Sequence, residues 1–222
     1  MPVLCFHQVR QWRPTDSATA RAFITPPRLL AEQLAALAQA GYATVTPDQL
    51  VSFLEYGAPL PPRPVMLSFD DGSQGHYTDA LPLLLRHHFV ATFFVMTVVL
   101  DKPTWLARAQ VRDLRARGMT IGAHTYDHHS VTRLSGSERH TQLVQPAREL
   151  ARLTGGPIRH LAYPYGTWNR AALPQVHAAG YHAAFQLTDR QDPDRPLLTL
   201  RRMIAPSEGD GATLIRAIRT AF

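Results

Sequence analysis

The sequence predicts an α/β fold in which strands and helices alternate around a parallel barrel. Three segments each combine an amphipathic helix, a glycine and a short β-rich run, and the glycines are Gly41, Gly118 and Gly180. Glycine just past a helix supplies the left-handed residue that ends it, and the strand follows at once. About seven or eight strands separated by helices favour a closed barrel over an open doubly wound sheet.

The individual elements follow from local patterns along the chain. In the first helical segment, PPRLLAEQLAALAQAG, Leu30, Leu34 and Leu37 share one face, as in a helix that packs on a core. No glycine-rich nucleotide motif follows the first strand and no P-loop occurs, so nucleotide-binding folds have no motif support. The predicted strands are PVLCF (2–6), ATV (43–45), VMLSF (65–69), ATFFVM (91–96), TIGA (120–123), HLAY (160–163), AAFQL (183–187) and LTLRRM (198–203).

Length and charge narrow the classes of protein further. A chain of 222 residues fits one domain, and the αβ pattern continues on both sides of the proline-rich stretch 56–65, so we expect a single domain over residues 1–222. No apolar run is long enough for a membrane span, so no integral membrane segment is expected. The net charge of +6 comes from scattered arginines without a basic run, and no nucleic-acid partner is expected. The oligomeric state stays open.

Reactive or turn-forming residues follow four of the predicted strands at the same end. In α/β barrels the active site lies at the carboxyl ends of the strands, so these residues are expected to meet there. They are Asp70 and Asp71 after VMLSF, His124 with His128 and His129 after TIGA, Pro164-Tyr165-Gly166 after HLAY, and His7 after PVLCF.

The residue types at this edge indicate a metal site. A carboxylate with two neutral imidazoles leaves one coordination position open, which is the composition of a catalytic zinc site. The run HTYDH places His124 and His128 four residues apart, close enough to bind one ion. Two histidines and a carboxylate also describe the facial triad of non-haem iron oxygenases, which is an alternative. That alternative gives no role to Asp70 beside Asp71.

Several of these runs resemble a known family. LSFDDG, GAHTYDHHSVTRLS and LAYPYG, in that order, resemble the first three motifs of the NodB-like polysaccharide deacetylases, carbohydrate esterase family four. PVLCFHQV and the segment before the histidines are also similar, so the resemblance covers about residues 2–205 and is strongest to the branch that deacetylates poly-β-1,6-N-acetylglucosamine. It implies a distorted (β/α) barrel of about seven strands, the NodB homology domain, that binds one divalent metal and hydrolyses N-acetyl groups.

The resemblance also implies a role for each matching residue. Asp71, His124 and His128 would bind the metal, with His129 as the alternative to His128. Asp70 would be the general base, and the backbone N–H of Tyr165 would stabilise the oxyanion. Zinc is the expected ion, with Ni²⁺, Co²⁺ and Fe²⁺ as alternatives.

Because of three departures from the family pattern, some catalytic roles have no matching residue. Ala162 stands where the third motif usually begins with an arginine that orients the base, and the fourth motif is not found. The fifth, normally Leu-x-His with the general acid, is Leu200-Arg201-Arg202. The general acid is therefore either His7 or Asp70 returning its proton, and Arg202 is expected to be a carboxylate or oxyanion partner. Asp70 is expected to lack its orienting partner.

The expected substrate is an N-acetylglucosamine polysaccharide or oligosaccharide, by the same resemblance. The alternative is a catalytically weak or inactive carbohydrate-binding member of the same fold. The family resemblance implies an extracytoplasmic location, in the cell envelope or secreted. No signal peptide is visible at the start of the sequence, so a cytoplasmic location is the alternative.

Overall fold

Strands and helices alternate along most of the chain in the computed structural model, which describes residues 1–188 and 190–222. The strands are β1 (Val3–Phe6), β2 (Gln8–Val9), β3 (Ile24–Thr25), β4 (Ala43–Thr44), β5 (Pro64–Phe69), β6 (Thr92–Val95), β7 (Thr120–Ala123), β8 (His160–Ala162), β9 (Ala183–Gln186), β10 (Leu200–Arg201) and β11 (Met203–Ile204). The helices are α1 (Ala18–Arg21), α2 (Pro27–Gln39), α3 (Pro47–Tyr56), α4 (Leu81–Arg86), α5 (Arg108–Ala116), α6 (Gln145–Thr154), α7 (Leu173–Ala178) and α8 (Gly211–Ala221).

The main sheet is parallel and nearly closed as a barrel. Its strand order is β10-β9-β8-β7-β6-β5-β1-β11, and β4 pairs with β5 beside this path. β10 pairs with β9 and β11 pairs with β1, so the two ends of the path belong to one chain segment interrupted at Arg202. Counting that segment once gives seven barrel strands, and the predicted barrel is confirmed. The expectation of one continuous strand over LTLRRM is wrong, because the backbone changes pairing partner at Arg202.

Alternating residues of the strands fill the barrel interior in layers. Val3 pairs in register with Met66, and Cys5 with Ser68, so the rows Val3-Cys5-His7 and Met66-Ser68-Asp70 run along the same face. Val3 and Met66 belong to a buried apolar cluster that also contains Phe94, Phe185 and Leu200. The rows therefore change from apolar at one end of the barrel to polar at the other, and the polar end is the carboxyl end of the strands.

The outer faces of the strands pack against the helices. Leu30, Leu34 and Leu37 of α2 are fully buried, as the amphipathic pattern predicts. The helices α2, α5 and α7 end close to Gly41, Gly118 and Gly180, which all have positive φ. After α4 the same left-handed position is occupied by His88, with φ 55°, which explains why this unit lacks the glycine.

One local feature was not predicted. β2 and β3 form a separate two-stranded parallel sheet next to the end of β1. Two-residue strands are too short to produce a period-2 pattern in the sequence. Among the described residues, no helix combines the length and apolar character needed to cross a bilayer.

Candidate active site

The turn after β5 explains how two adjacent aspartates serve one site. Asp70 continues the inward row of β5 and is 1% exposed. Asp71 and Gly72 both have positive φ, 79° and 88°, so the backbone reverses here and brings the Asp71 side chain back toward the barrel mouth. A Cβ on Gly72 would lie 3.1 Å from Cγ1 of Val95, so the close approach of β6 also favours glycine.

Asp71, His124 and His128 converge at this mouth. Nε2 of His124 lies 3.4 Å from Oδ1 of Asp71, and Nε2 of His128 lies 3.6 Å from the same oxygen. One potential ligand atom from each residue lies within 4.8 Å of the other two. His128 reaches this position from a backbone with φ 70°. Among the described residues, His129 belongs to neither of the two ligand groups that could hold a metal.

The surroundings of His124 orient its Nε2 toward Asp71. Its Nδ1 lies 2.8 Å from the carbonyl oxygen of Ala162, which can only accept, so Nδ1 is the protonated nitrogen and Nε2 is free. Burial lowers the pKa of His124, but the carboxylates of Asp70 and Asp71 outweigh burial and leave the pKa above its ordinary value. For His128 burial dominates, and its pKa is lowered.

The three side chains fit a divalent cation. Oδ1 of Asp71 is buried and has no hydrogen-bond partner among the described residues, although a buried carboxylate oxygen normally has one. Two imidazoles and a carboxylate form the donor set of open catalytic zinc sites. A cation at this point would give the orphaned oxygen its partner.

Asp70 is held by Arg202. The two terminal nitrogens of Arg202 donate to the two carboxylate oxygens of Asp70, each at 2.7 Å, and one of them also donates to Oγ of Ser68 at 3.1 Å. The guanidinium lies 5.4 Å from the Phe94 ring centroid. Burial raises the pKa of Asp70, but the charge and hydrogen bonds of Arg202 together with the nearby His124 and His7 outweigh burial and hold the pKa well below its usual range.

This pair corrects one expectation. Asp70 was expected to lack an orienting partner because Ala162 replaces the family's usual arginine, and that expectation is wrong. Arg202 forms the bidentate contact from the junction of β10 and β11 instead. Of the two partner roles expected for Arg202, the structure shows the contact with a carboxylate.

His7 lies close to Asp70. A ring nitrogen of His7, the Sγ of Cys5 and a carboxylate oxygen of Asp70 all lie within 4.8 Å of one another. Burial lowers the pKa of His7 more than the nearby Asp70 and Asp71 raise it. The backbone of His7 is fixed by His76, whose Nε2 lies 2.7 Å from the His7 carbonyl oxygen.

Tyr165 lies in a tight turn next to the histidines. Its backbone has φ 60° and ψ 8°, and its side chain is 67% exposed. The ring centroids of Tyr165 and His128 are 4.5 Å apart in an edge-to-face contact. A Cβ on the next residue, Gly166, would lie 2.3 Å from Cβ of Leu187, so this position requires glycine. The turn places the Tyr165 backbone at the rim of the candidate metal site.

A family comparison agrees with this geometry. The sequence model of the polysaccharide deacetylase family matches residues 57–184. That span is more than half of the chain and contains Asp70, Asp71, His124, His128 and Tyr165. The chain belongs to the polysaccharide deacetylase family.

Curated relatives of this deacetylase-family chain are distant in sequence. YxkH of Bacillus subtilis (strain 168), named as a polysaccharide deacetylase, is 22% identical over 181 residues, which are 82% of this chain and 62% of YxkH. The poly-β-1,6-N-acetyl-D-glucosamine N-deacetylase of Staphylococcus aureus (strain MRSA252) is 25% identical over 144 residues, 59% of this chain and 50% of that protein. The chain thus spans less than two thirds of these relatives.

Solved structures match the fold almost completely. The deacetylase PplD of Streptococcus pyogenes, in complex with acetate, aligns with a TM-score of 0.90 at 23% identity, over 98% of this chain and 97% of that one. IcaB from Ammonifex degensii aligns with a TM-score of 0.79 at 25% identity, over 99% and 96% of the two chains. The deacetylase fold therefore extends over nearly the whole chain.

The sequence reasoning missed one residue that contacts the site. His76 is fully buried, and its imidazole packs edge-on against Phe69 as well as bonding the His7 carbonyl. It lies in the π-helical turn His76–Ala80, and no strand end or motif marks it in the sequence. A π-helical turn is often found beside functional sites, but the one-residue insertion that forms it leaves no clear sequence pattern.

Proposed function

We propose that this deacetylase-family chain is a metal-dependent hydrolase that removes N-acetyl groups from N-acetylglucosamine-containing polysaccharide. The observation that supports this most is that two groups of side chains lie next to each other at one end of the barrel. Asp71, His124 and His128 form a three-ligand group, and the Asp70–Arg202 pair lies directly beside it. Neighbouring positions of one turn thus provide a ligand and an oriented carboxylate.

Asp71, His124 and His128 would hold the metal in this proposal. A divalent cation, zinc by its donor set, supplies a Lewis acid that polarises the acetamide carbonyl and makes water more acidic. His124 would offer its Nε2 to the ion, because the Ala162 carbonyl holds the proton on Nδ1 and fixes the ring orientation, and His128 would offer its own Nε2 from the other end of the turn 124–128.

Asp70 would accept the proton from the attacking water. The two hydrogen bonds from Arg202 fix the carboxylate plane and keep Asp70 ionised at neutral pH. Because both carboxylate oxygens already accept from Arg202, the acid that protonates the leaving amine is better assigned to a separate group. We assign it to His7, whose ring nitrogen lies near Asp70.

The backbone N–H of Tyr165 would stabilise the developing oxyanion. A donor held rigidly before the reaction stabilises that charge without reorganising during it. The left-handed Tyr165 and the sterically required Gly166 make this turn rigid. The exposed Tyr165 ring would then lie beside the bound sugar.

The substrate class is inferred from the relatives. Their names specify peptidoglycan N-acetylglucosamine, chitin and poly-β-1,6-N-acetylglucosamine. Their shared group is an N-acetylated glucosamine unit, which fits the mechanism above. Because peptidoglycan and such polymers lie outside the cytoplasm, we infer an extracytoplasmic site of action.

The decisive experiment measures acetate released from N-acetylglucosamine oligomers with the zinc-loaded and the chelator-treated chain. We expect release only with metal, and loss of release in Asp71→Ala. Tight oligomer binding without acetate release under any divalent metal would instead identify a carbohydrate-binding member of the fold.

A further inference from the structure

A groove beside the histidine loop is not used by the reaction proposed above. It encloses about 580 Å³, and we call it the Tyr126 groove; its lining includes Arg108, Tyr126, Arg148, Glu149 and Arg152. Tyr126 lies in the chain between His124 and His128. Its backbone N–H donates to Oε1 of Gln142 and its carbonyl accepts from Val98, so the backbone of this groove residue is held on both sides.

The groove has an excess of positive charge. Arg108 is neutralised, because it forms ion pairs with Asp101 and Glu149. Glu149 is therefore already paired with Arg108 and does not neutralise a second arginine. Arg148 and Arg152 are exposed on α6, and neither guanidinium forms an ion pair or a hydrogen bond with any residue in the described part of the chain.

The spacing of these two arginines brings their positive charges close together. Residues four apart on a helix lie on the same face, and like charges there repel each other. An anion between them would relieve that repulsion. Guanidinium groups bind carboxylate and phosphate with paired, charge-assisted hydrogen bonds.

We propose that the Tyr126 groove is a subsite for an anionic group, a carboxylate or a phosphate, on another sugar of the glycan that is deacetylated. The inference rests on the proposed deacetylase function. Arg148 and Arg152 are its specificity-determining residues. The chain would then favour glycans that contain both N-acetylglucosamine and an anion-bearing sugar over neutral homopolymers.

The test compares matched substrates that share one backbone. They are the neutral β-1,4 tetramer of N-acetylglucosamine, the same tetramer oxidised to a carboxylate at C6 of one sugar, and the tetramer phosphorylated there. The test variant is Arg148→Gln/Arg152→Gln. The matched control is Arg216→Gln/Arg219→Gln, which removes two exposed charges from α8, a helix that packs against α2. Acetate release and calorimetric binding are measured for every pair.

We expect kcat/KM for an anionic tetramer to exceed that for the neutral one by about tenfold, the size of one or two charge-assisted contacts. The double variant should remove this preference and leave the neutral tetramer and the control unchanged. The anionic tetramer with the higher kcat/KM identifies the anion, carboxylate or phosphate, that the subsite prefers. Equal kinetics and equal binding for charged and neutral tetramers would overturn the subsite. If no tetramer releases acetate, the proposed function fails, and the binding preference alone decides the subsite.

Discussion

Arg202 donates one hydrogen bond to each carboxylate oxygen of Asp70, both at 2.7 Å, and both side chains are almost fully buried. The two residues are 132 positions apart in the sequence. This buried pair gives Asp70 an orienting partner that Ala162 cannot provide.

Removing the arginine alone should destabilise the fold. Arg202→Met leaves the Asp70 carboxylate buried without its partner, which costs about 3–5 kcal/mol in comparable buried pairs. The double variant Asp70→Asn/Arg202→Met removes both charges and should lose clearly less. Urea unfolding gives both free energies. Equal losses in the two variants would show that Asp70 is not stabilised by Arg202.

Metal content should depend on three side chains and not on a fourth. His124→Ala, His128→Ala and Asp71→Ala each remove one proposed ligand, so each should lower the metal retained after dialysis. His129→Ala, adjacent in sequence but outside the ligand group, is the matched control and should retain a full complement. Elemental analysis measures the ratio of metal to protein. Loss of metal in His129→Ala with retention in His128→Ala would exchange their roles.

His7 should matter most when the leaving group needs a proton. His7→Gln should slow acetate release from N-acetylglucosamine oligomers by about 10²-fold, the usual contribution of one general acid. The same variant should hydrolyse 4-nitrophenyl acetate at close to the parent rate, because a nitrophenolate leaves without protonation. Equal slowing of both substrates would mean that His7 positions groups and donates no proton.

Stability should fall in mild acid partly because of His76. Burial lowers the pKa of His76 to about 4. An unfolded histidine takes up a proton at higher pH than this, so the stabilising contribution is complete above pH ~6.5 and is lost as the pH falls toward 4. The fully buried ring should account for roughly 2–3 kcal/mol between pH 7.5 and 4.5.

The comparison uses urea unfolding of the parent chain and His76→Gln at both pH values. His76→Gln should be less stable at pH 7.5, yet lose less on acidification. His177→Gln changes an exposed histidine on α7 and should follow the parent. An unchanged pH dependence in His76→Gln would contradict the buried, neutral state of this ring.

Local patterns predicted the elements that end at the site, but not every contact within it. The strand before Asp70 and the helices that end at glycine are marked by local patterns, namely the spacing of apolar residues and the turn residues that follow them. The contact of Arg202 with Asp70 depends on a strand that changes partner, and both halves of that strand have the same β-forming composition. The sequence indicated Arg202 as a carboxylate or oxyanion partner, but it did not identify Asp70 as that carboxylate. The role of His76 depends on packing alone.

The junction at Arg202 has a consequence for the order in which the site assembles. The proposed ligands all come from residues 71–128. The partner of Asp70 comes instead from the β10–β11 segment, which pairs with β9 on one side and with β1 on the other and so closes the barrel. Contacts between distant positions form late because a long loop must close first. Under the proposed mechanism, a nascent or partly opened molecule would bring the three candidate ligands together before Asp70 is oriented, and activity would require the closed barrel.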